Sequence, residues 1–264
     1  MIPVFLDSLP QGDRGLHYGD GLFETMAVTE GKVRLLALHL ERLARGAARL
    51  AIPLPDPDGL AGALAVAARE QGEGVLKLIV TRGGGGRGYL PPESPTPSLI
   101  LQRHPPVDAD GRDGVAVRLC ELRLSRQPAL AGIKHLNRLE QVLARAEWRD
   151  PAIAEGLLLD AEGFLVEGVA SNLFLVRRGR LLTPLLDQCG VAGVMRAHVM
   201  RCASRLGLDV QETRLVLDDL RAADELFLTN SLYGIRPVVR LTEHREWAVG
   251  PLTRALQDGL WRQS

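Results

Sequence analysis

Two tight returns in the second half of the chain restrict its fold more than any other feature. GLLLDAEGFLVEG (156–168) and NLFLVRRGRLLT (172–183) each read as two short apolar strands joined through a Glu-Gly or an Arg-Gly turn. A hairpin of this kind makes neighbouring strands antiparallel. A doubly wound parallel sheet instead needs a helical crossover between each pair. Because the returns are interleaved with helix-forming stretches, the pattern predicts an α+β fold and argues against a doubly wound sheet.

The first third agrees with this mixed order. Residues 21–29 (GLFETMAVT) read as a strand, a Glu-Gly-Lys turn follows, and a strand restarts over Val33–Leu36. Leu38, Leu40, Leu43 and Leu50 leave an apolar stripe on a helix over 37–51, which the prolines of IPLPDPDG (52–59) must end. A second helix fits Leu60–Gln71. VLKLIVTR (75–82) reads as a buried strand closed by the loop GGGGRGYLPPESPTP, and Leu99–Arg103 returns as another. HPPVDADGRDG (104–114) is the best lobe boundary, which predicts a smaller lobe over 1–108 and a larger one over 109–264. Beyond it the pattern predicts a strand at Val115–Leu122 and a helix over about Asn137–Trp148. A helix from Gly193 to Leu206, strands at Asp209–Thr213 and Leu226–Asn230, and a final helix over Leu252–Trp261 follow.

Composition narrows the function. With 264 residues and 46% hydrophobic content the chain can bury a large core in one domain or two. Basic and acidic residues balance at 32 each without a basic run, which speaks against a nucleic-acid partner. The N-terminus does not read as a signal peptide, and no uncharged apolar run approaches the roughly 18 residues of a membrane span. Cys120, Cys189 and Cys202 are few and widely spaced, so they suit a reducing compartment and give no metal-ligand pattern. The expectation is a cytoplasmic protein, off the membrane and without a metal. Only three of the 32 basic residues are lysines: Lys32, Lys77 and Lys134. Chemistry that needs an amine has three places to look.

The glycine-rich GGGGRG (83–88) lacks the Gly-Lys-[Ser/Thr] ending of a nucleotide P-loop and reads equally as a surface loop. In VAGVMRAHVM (191–200) a glycine opens a helix, whose free N–H groups suit an anion, although most helix starts bind nothing. Lys32 lies in a turn, where a solvated charge is the default. Lys77 reads as an outward strand charge, and Lys134 stands at a helix entrance. Glu167 lies among small and apolar residues in VEGVASNLFLV. A lysine, a carboxylate beside an apolar pocket and several phosphate donors are what a pyridoxal cofactor requires. The aldehyde takes the amine, the ring nitrogen takes the acid, and the phosphate takes arginine and backbone N–H groups.

Seven segments in order carry a resemblance to a known group: DRGLHYGDGLFET (13–25), LHLERL (38–43), TRGGGGRGY (81–89), GIKHLNRLEQVLAR (132–145), VEGVASNLF (166–174), GVAGVMR (190–196) and TNSLYGIRPV (229–238). The chain resembles the fold-type IV pyridoxal-phosphate enzymes, which include branched-chain and D-amino-acid aminotransferases. Within that group GIKHLNRLEQVLAR and RGGGGRGY look most like aminodeoxychorismate lyases.

The resemblance implies a two-lobed α+β fold, pyridoxal 5'-phosphate as cofactor and Lys134 as its Schiff-base lysine, carried on the larger lobe. Glu167 would pair with the pyridine nitrogen. Arg42, the N–H groups of Val194 and Met195, Asn230 and Ser231 would hold the phosphate, with Asn172 also in the cofactor set. Thr25 would supply a hydroxyl for proton delivery or substrate contact, and Arg87, Arg82 and Arg236 are candidates for the substrate carboxylates. The implied substrate is 4-amino-4-deoxychorismate, split into 4-aminobenzoate and pyruvate on the way to folate. The implied assembly is a homodimer with its site at the lobe interface. An aminotransferase on the same scaffold is the alternative. A binding protein derived from it would be expected to have lost Lys134 or Glu167, and both are present.

Overall fold

A fully buried aspartate opens the first helix in the first of two units of the computed structural model, which describes residues 3–108 and 111–260. Asp13 caps helix α1 (Arg14–Tyr18) by accepting from the Gly15 N–H at 2.7 Å, and it also accepts from the hydroxyls of Thr81 and Ser98 at 2.9 and 2.7 Å. Strands β1 (Gly21–Thr29) and β2 (Lys32–Val33), helices α2 (Leu36–Leu50) and α3 (Pro57–Gln71), and strands β3 (Gly74–Thr81) and β4 (Ser98–His104) follow. The strands form an antiparallel sheet in the order β2-β1-β3-β4. Glu30 and Gly31 take φ of 52° and 68° in the turn between β1 and β2, the left-handed pair that such a two-residue hairpin demands.

The unit is completed by five residues from further along the chain, Ile133–Asn137. Phe23 N–H donates to the Lys134 carbonyl and Leu136 N–H to that of Gly21, both at 3.0 Å. This corrects the expectation that the larger lobe carries Lys134: backbone pairing beside β1 places it with the first unit. The same pairing explains why helix α4 (Leu139–Arg145) begins two residues later than the sequence pattern predicts.

The second unit takes Asp108–Gly132 and the chain from Arg138 onward. Strands β5 (Val115–Leu124), β6 (Ile153–Asp160), β7 (Leu165–Gly168), β8 (Asn172–Arg177), β9 (Arg180–Pro184), β10 (Val210–Thr213), β11 (Glu225–Asn230) and β12 (Gly234–Leu241) line up as β10-β9-β8-β11-β12-β5-β6-β7, with β13 (Arg245–Glu246) on β12. The β6–β7 and β8–β9 returns are antiparallel, as their turns require. Three pairs, β5–β6, β5–β12 and β9–β10, are parallel, so the sheet is mixed. Helices α5 (Val194–Arg205), α6 (Leu217–Arg221) and α7 (Pro251–Gly259) complete the unit. Leu157, Leu173, Leu226, Leu228, Val238 and Trp247 share its main core.

Some elements escape the sequence pattern. The strand expected over Val33–Leu36 stops at Val33, because Leu35 turns to φ 55° and α2 begins. Helices α1 and α6 have five residues each, too few to show a period. Strand β12 is disguised by Gly234 and Pro237. Trp261, at the end of the expected last helix, and residues 109–110, at the expected boundary, lie outside the described residues.

A buried ionic cluster ties α2 to β1. Leu22, Glu24, Met26 and Val28 alternate onto one buried face of β1, and Gly46 of α2 lies against Leu22. Glu24, 2% exposed, meets His39 and Arg42, which stand three residues apart on α2. His39 Nδ1 lies 2.6 Å from Glu24 Oε2, Arg42 Nε donates to Oε1 at 2.8 Å, and Arg42 Nη2 donates to Oε2. Burial alone would raise the Glu24 pKa, but Arg42 and then His39 outweigh it and lower it from 4.5 to about 2. Burial also depresses the pKa of His39, and because the Glu24 carboxylate can only accept, His39 Nδ1 is the donor of this pair. Since the folded-state pKa of Glu24 lies below its ordinary value, its stabilisation is complete above pH 4.5 and drains away as the pH falls toward about 2. Urea unfolding across that range should therefore show a flatter acid limb in Glu24→Gln than in the parent. At pH 7 the variant, in which the buried Arg42 has lost the carboxylate charge of Glu24, should be less stable by about 3–5 kcal/mol. Identical limbs would refute this account.

Candidate active site

In the first unit the odd-numbered residues of β1 point away from α2, and there the chemistry gathers. Phe23 and Thr25 are half-buried, and Thr25 is paired across the sheet with Lys77 of β3. The Lys134 Nζ lies 4.4 Å from the Phe23 ring centroid and the Lys77 Nζ 5.6 Å from it. Two of the three lysines thus converge on one aromatic ring beside a hydroxyl. The outward reading of Lys77 is corrected, since its amine is turned onto Phe23. Strand alternation was the available signal: Lys77 faces Thr25 once β1 and β3 are in register.

The arginines of this unit divide by what they touch. Arg42 is 5% exposed, with one edge of its guanidinium held by Glu24. Arg82, expected on the substrate, is committed to the fold. It donates to both oxygens of Asp20 at 2.8 and 3.1 Å and to the carbonyls of Leu50 and Ala51, at the end of α2, at 2.7 and 2.9 Å. Such a buried cation satisfies the last carbonyls of a helix and has little left for a ligand. Burial pushes the Asp20 carboxyl up, yet Arg82 and Arg14 together hold it below its usual range. Arg87 is exposed on the loop after β3.

The second unit supplies an acid and a helix start. Glu167, at the end of β7, is 5% exposed, and its Oε2 accepts from the Val191 N–H at 2.8 Å. Asn172 Nδ2 donates to the Val191 carbonyl at 2.8 Å, so both polar groups of that residue are held by side chains of the VEGVASN segment. Val191 is followed by Gly193, the N-cap of α5. A Cβ on Gly193 would lie 1.9 Å from Asn172 Oδ1, so only glycine allows this approach. Gly193 offers no side-chain cap, which leaves the first-turn N–H groups of Val194 and Met195 for an anion at the positive end of the helix. Asn172 and Gly193 therefore shape the loop that presents α5. Burial lowers the pKa of Arg138, while the charges of Glu167 and Glu140 raise it. Sequence reasoning missed this partner of the acid.

The turn after β11 holds Asn230 and Ser231. Asn230 Oδ1 accepts from the N–H groups of Leu232 and Tyr233 at 3.0 and 2.8 Å, so its carboxamide fixes the turn that carries Ser231. Arg236 stacks on Tyr233, with its guanidinium carbon 3.4 Å from the ring centroid. It lines a cavity of about 220 Å³ formed by the second unit alone, with Glu155, Ser171, Thr229 and Asn230. Neither Cys120 nor Cys189 is a candidate nucleophile, because burial pushes both thiols up to about 12.

The donor set fits pyridoxal phosphate on chemical grounds. The first unit holds an amine on an apolar ring and a buried arginine, and the second a buried carboxylate fixed by a backbone N–H and an uncapped helix start that suits a phosphate. Among the described residues no helix is long and apolar enough to cross a membrane.

Residues 21–241 match the family described as Amino-transferase class IV. The chain is 38% identical to the aminodeoxychorismate lyase of Vibrio harveyi, over 96% of this chain and 95% of that protein. The crystal structure of 4-amino-4-deoxychorismate lyase from Pseudomonas aeruginosa superposes with a TM-score of 0.93 at 52% identity, covering 97% of this chain and 95% of that one. A putative branched-chain-amino-acid aminotransferase of Methanocaldococcus jannaschii is 34% identical over 93% of this chain and 88% of its own length. The architecture of two sheets with flanking helices is that of these relatives, and this chain belongs to the class IV aminotransferase family.

Proposed function

We infer that the chain is a 4-amino-4-deoxychorismate lyase that uses pyridoxal 5'-phosphate and yields 4-aminobenzoate and pyruvate. The observation that carries this reading is the convergence of Lys134, Lys77 and Thr25 on one face of the first sheet. Its near-full-length likeness to two lyases supports the choice of substrate. The reading extends to a cytoplasmic homodimer, on family likeness.

Bound pyridoxal phosphate supplies an electron sink conjugated to the substrate nitrogen. Lys134 would anchor the cofactor through its Nζ, and the same amine would take the proton from the ring carbon bearing the substrate nitrogen. Glu167, held by Val191, keeps a proton on the pyridine nitrogen by pairing with that N–H. Arg42, the Val194 and Met195 N–H groups and the Ser231 turn hold the phosphate, and Asn230 and Asn172 keep those elements in place. As the proton leaves, the carbon–oxygen bond to the enolpyruvyl group breaks and the ring becomes aromatic. The Thr25 hydroxyl delivers a proton to the methylene carbon of the departing group, which becomes pyruvate. Lys77 and Arg87 meet the substrate carboxylates, since Arg82 is committed to Asp20 and α2. Aromatisation drives the bond cleavage, so orientation and proton placement are what the protein must provide.

Purified protein given the cofactor and aminodeoxychorismate should release 4-aminobenzoate and pyruvate in equal amounts. Amine transfer from D-alanine to 2-oxoglutarate without 4-aminobenzoate would instead make it an aminotransferase. Lys134→Ala should lose the yellow absorbance of lysine-bound pyridoxal, and a retained band that borohydride fixes to another residue would reassign the lysine. Glu167→Gln should keep the cofactor yet lower kcat roughly a hundredfold or more. Near-normal turnover there would remove the acid from the mechanism.

A further inference from the structure

The loop that carries Arg87 is unpromising as a binding element by composition. Four glycines precede the arginine, and such a chain is among the most flexible that a protein can build. A cation on a floating loop must be ordered when the ligand binds, and that ordering subtracts from affinity.

The structure fastens this loop at both ends to a single residue. The Arg14 backbone N–H donates to the Gly83 carbonyl at 2.9 Å, next to the bridge between Asp13 and Gly84. Across the loop, Arg14 Nη1 donates to the Gly88 carbonyl at 3.0 Å and reaches that of Leu90 at 3.4 Å, and Nη2 donates to the Tyr89 carbonyl at 2.9 Å. Only Gly84, Gly85, Gly86 and Arg87 lie between the first and second carbonyls that Arg14 holds.

Arg14 is itself held. It is 4% exposed, its Nε donates to Asp20 Oδ2 at 2.9 Å, and its guanidinium carbon stands 4.9 Å from the Tyr18 ring centroid. Tyr18 in turn stacks at a tilt on Tyr89, with centroids 5.4 Å apart. A buried fork that reads three successive carbonyls is a task for a guanidinium, because a lysine ammonium has no fixed fork.

We propose that Arg14 is a positioning residue for the substrate: by fastening the chain on both sides of Arg87 it presents that guanidinium to a substrate carboxylate already ordered. The proposal rests on the reading of Arg87 given above, and Arg87→Ala tests that reading separately. The Arg14 guanidinium is given over to Asp20 and the loop carbonyls, so its effect is exerted through the loop.

The test compares Arg14→Lys, Arg87→Ala and a variant with two glycines inserted between Gly86 and Arg87, all as holoenzyme. For Arg14→Lys and the insertion, KM for aminodeoxychorismate should rise about tenfold or more, with kcat and the cofactor dissociation constant within about twofold of the parent. Trypsin should cut the Arg87–Gly88 bond about tenfold faster in both, a readout independent of activity. The insertion leaves every contact of Arg14 in place, so it decides the matter even where Arg14→Lys fails to fold. Faster cleavage with an unchanged KM would overturn the proposal while leaving the lyase reading intact, provided Arg87→Ala raises KM. Unchanged cleavage, or KM and cofactor affinity worsening together, would overturn it as well. An unchanged KM in Arg87→Ala would remove Arg87 from the substrate and the proposal with it.

Discussion

The short segment Ile133–Asn137 settles where the Lys134 amine stands. It returns from the second half of the chain to lie beside β1, where Phe23 and Leu136 give it backbone hydrogen bonds. Once the carbonyl of Lys134 is fixed by the Phe23 N–H, its side chain has the Phe23 ring to lie against. The register of β1 with β3 then brings Lys77 onto the same ring and opposite Thr25. A shift of one residue in β1 would send Phe23 and Thr25 to the helix-covered face, where Glu24 now stands, and part them from both lysines.

The opposite face of β1 uses charge differently. Glu24, His39 and Arg42 form a buried cluster whose carboxylate is compensated on both oxygens, as a buried charge requires. Arginine is a good residue for such work, since its five donors satisfy several acceptors at once. Arg82 closes the end of α2 and pairs with Asp20, Arg14 fastens a glycine-rich loop, and Arg196 donates to Thr183 and to the Pro184 carbonyl. In a chain whose cations are nearly all arginine, a guanidinium is therefore as often a fastener as a ligand. Lysine is rare here, and two of its three occurrences sit on one ring.

The second unit shows how a loop of small residues is made firm. Val191 is held through its N–H by Glu167 and through its carbonyl by Asn172, while Gly193 lets α5 start against the Asn172 carboxamide. One set of contacts thus fixes an acid and a helix start together. For the roles proposed above, holding a proton and an anion, the carboxylate and the helix start need only to be held still, because such chemistry is electrostatic.

Much of this was readable in the chain itself. Glu-Gly and Arg-Gly turns declared the hairpins and so the α+β class, for returns of four and two residues leave the strands no other direction. The stripe of Leu38 and Leu43 declared α2, and the ordered segments from DRGLHYGDGLFET to TNSLYGIRPV declared the family. What the sequence could not assign was the use of individual cations. Arg82 and Arg87 stand in one segment, yet one is buried against Asp20 and the other exposed, because only folding brings Asp20 and the end of α2 beside Arg82. Lys77 looked like a surface charge until strand register set it against Phe23. Lys134 looked like a charge at the entrance of the helix that follows it, until long-range backbone pairing drew it to β1. Local pattern determines which elements form, since their hydrogen bonds close within a few residues. Partners many positions apart are chosen by packing, and that is a property of the folded chain alone.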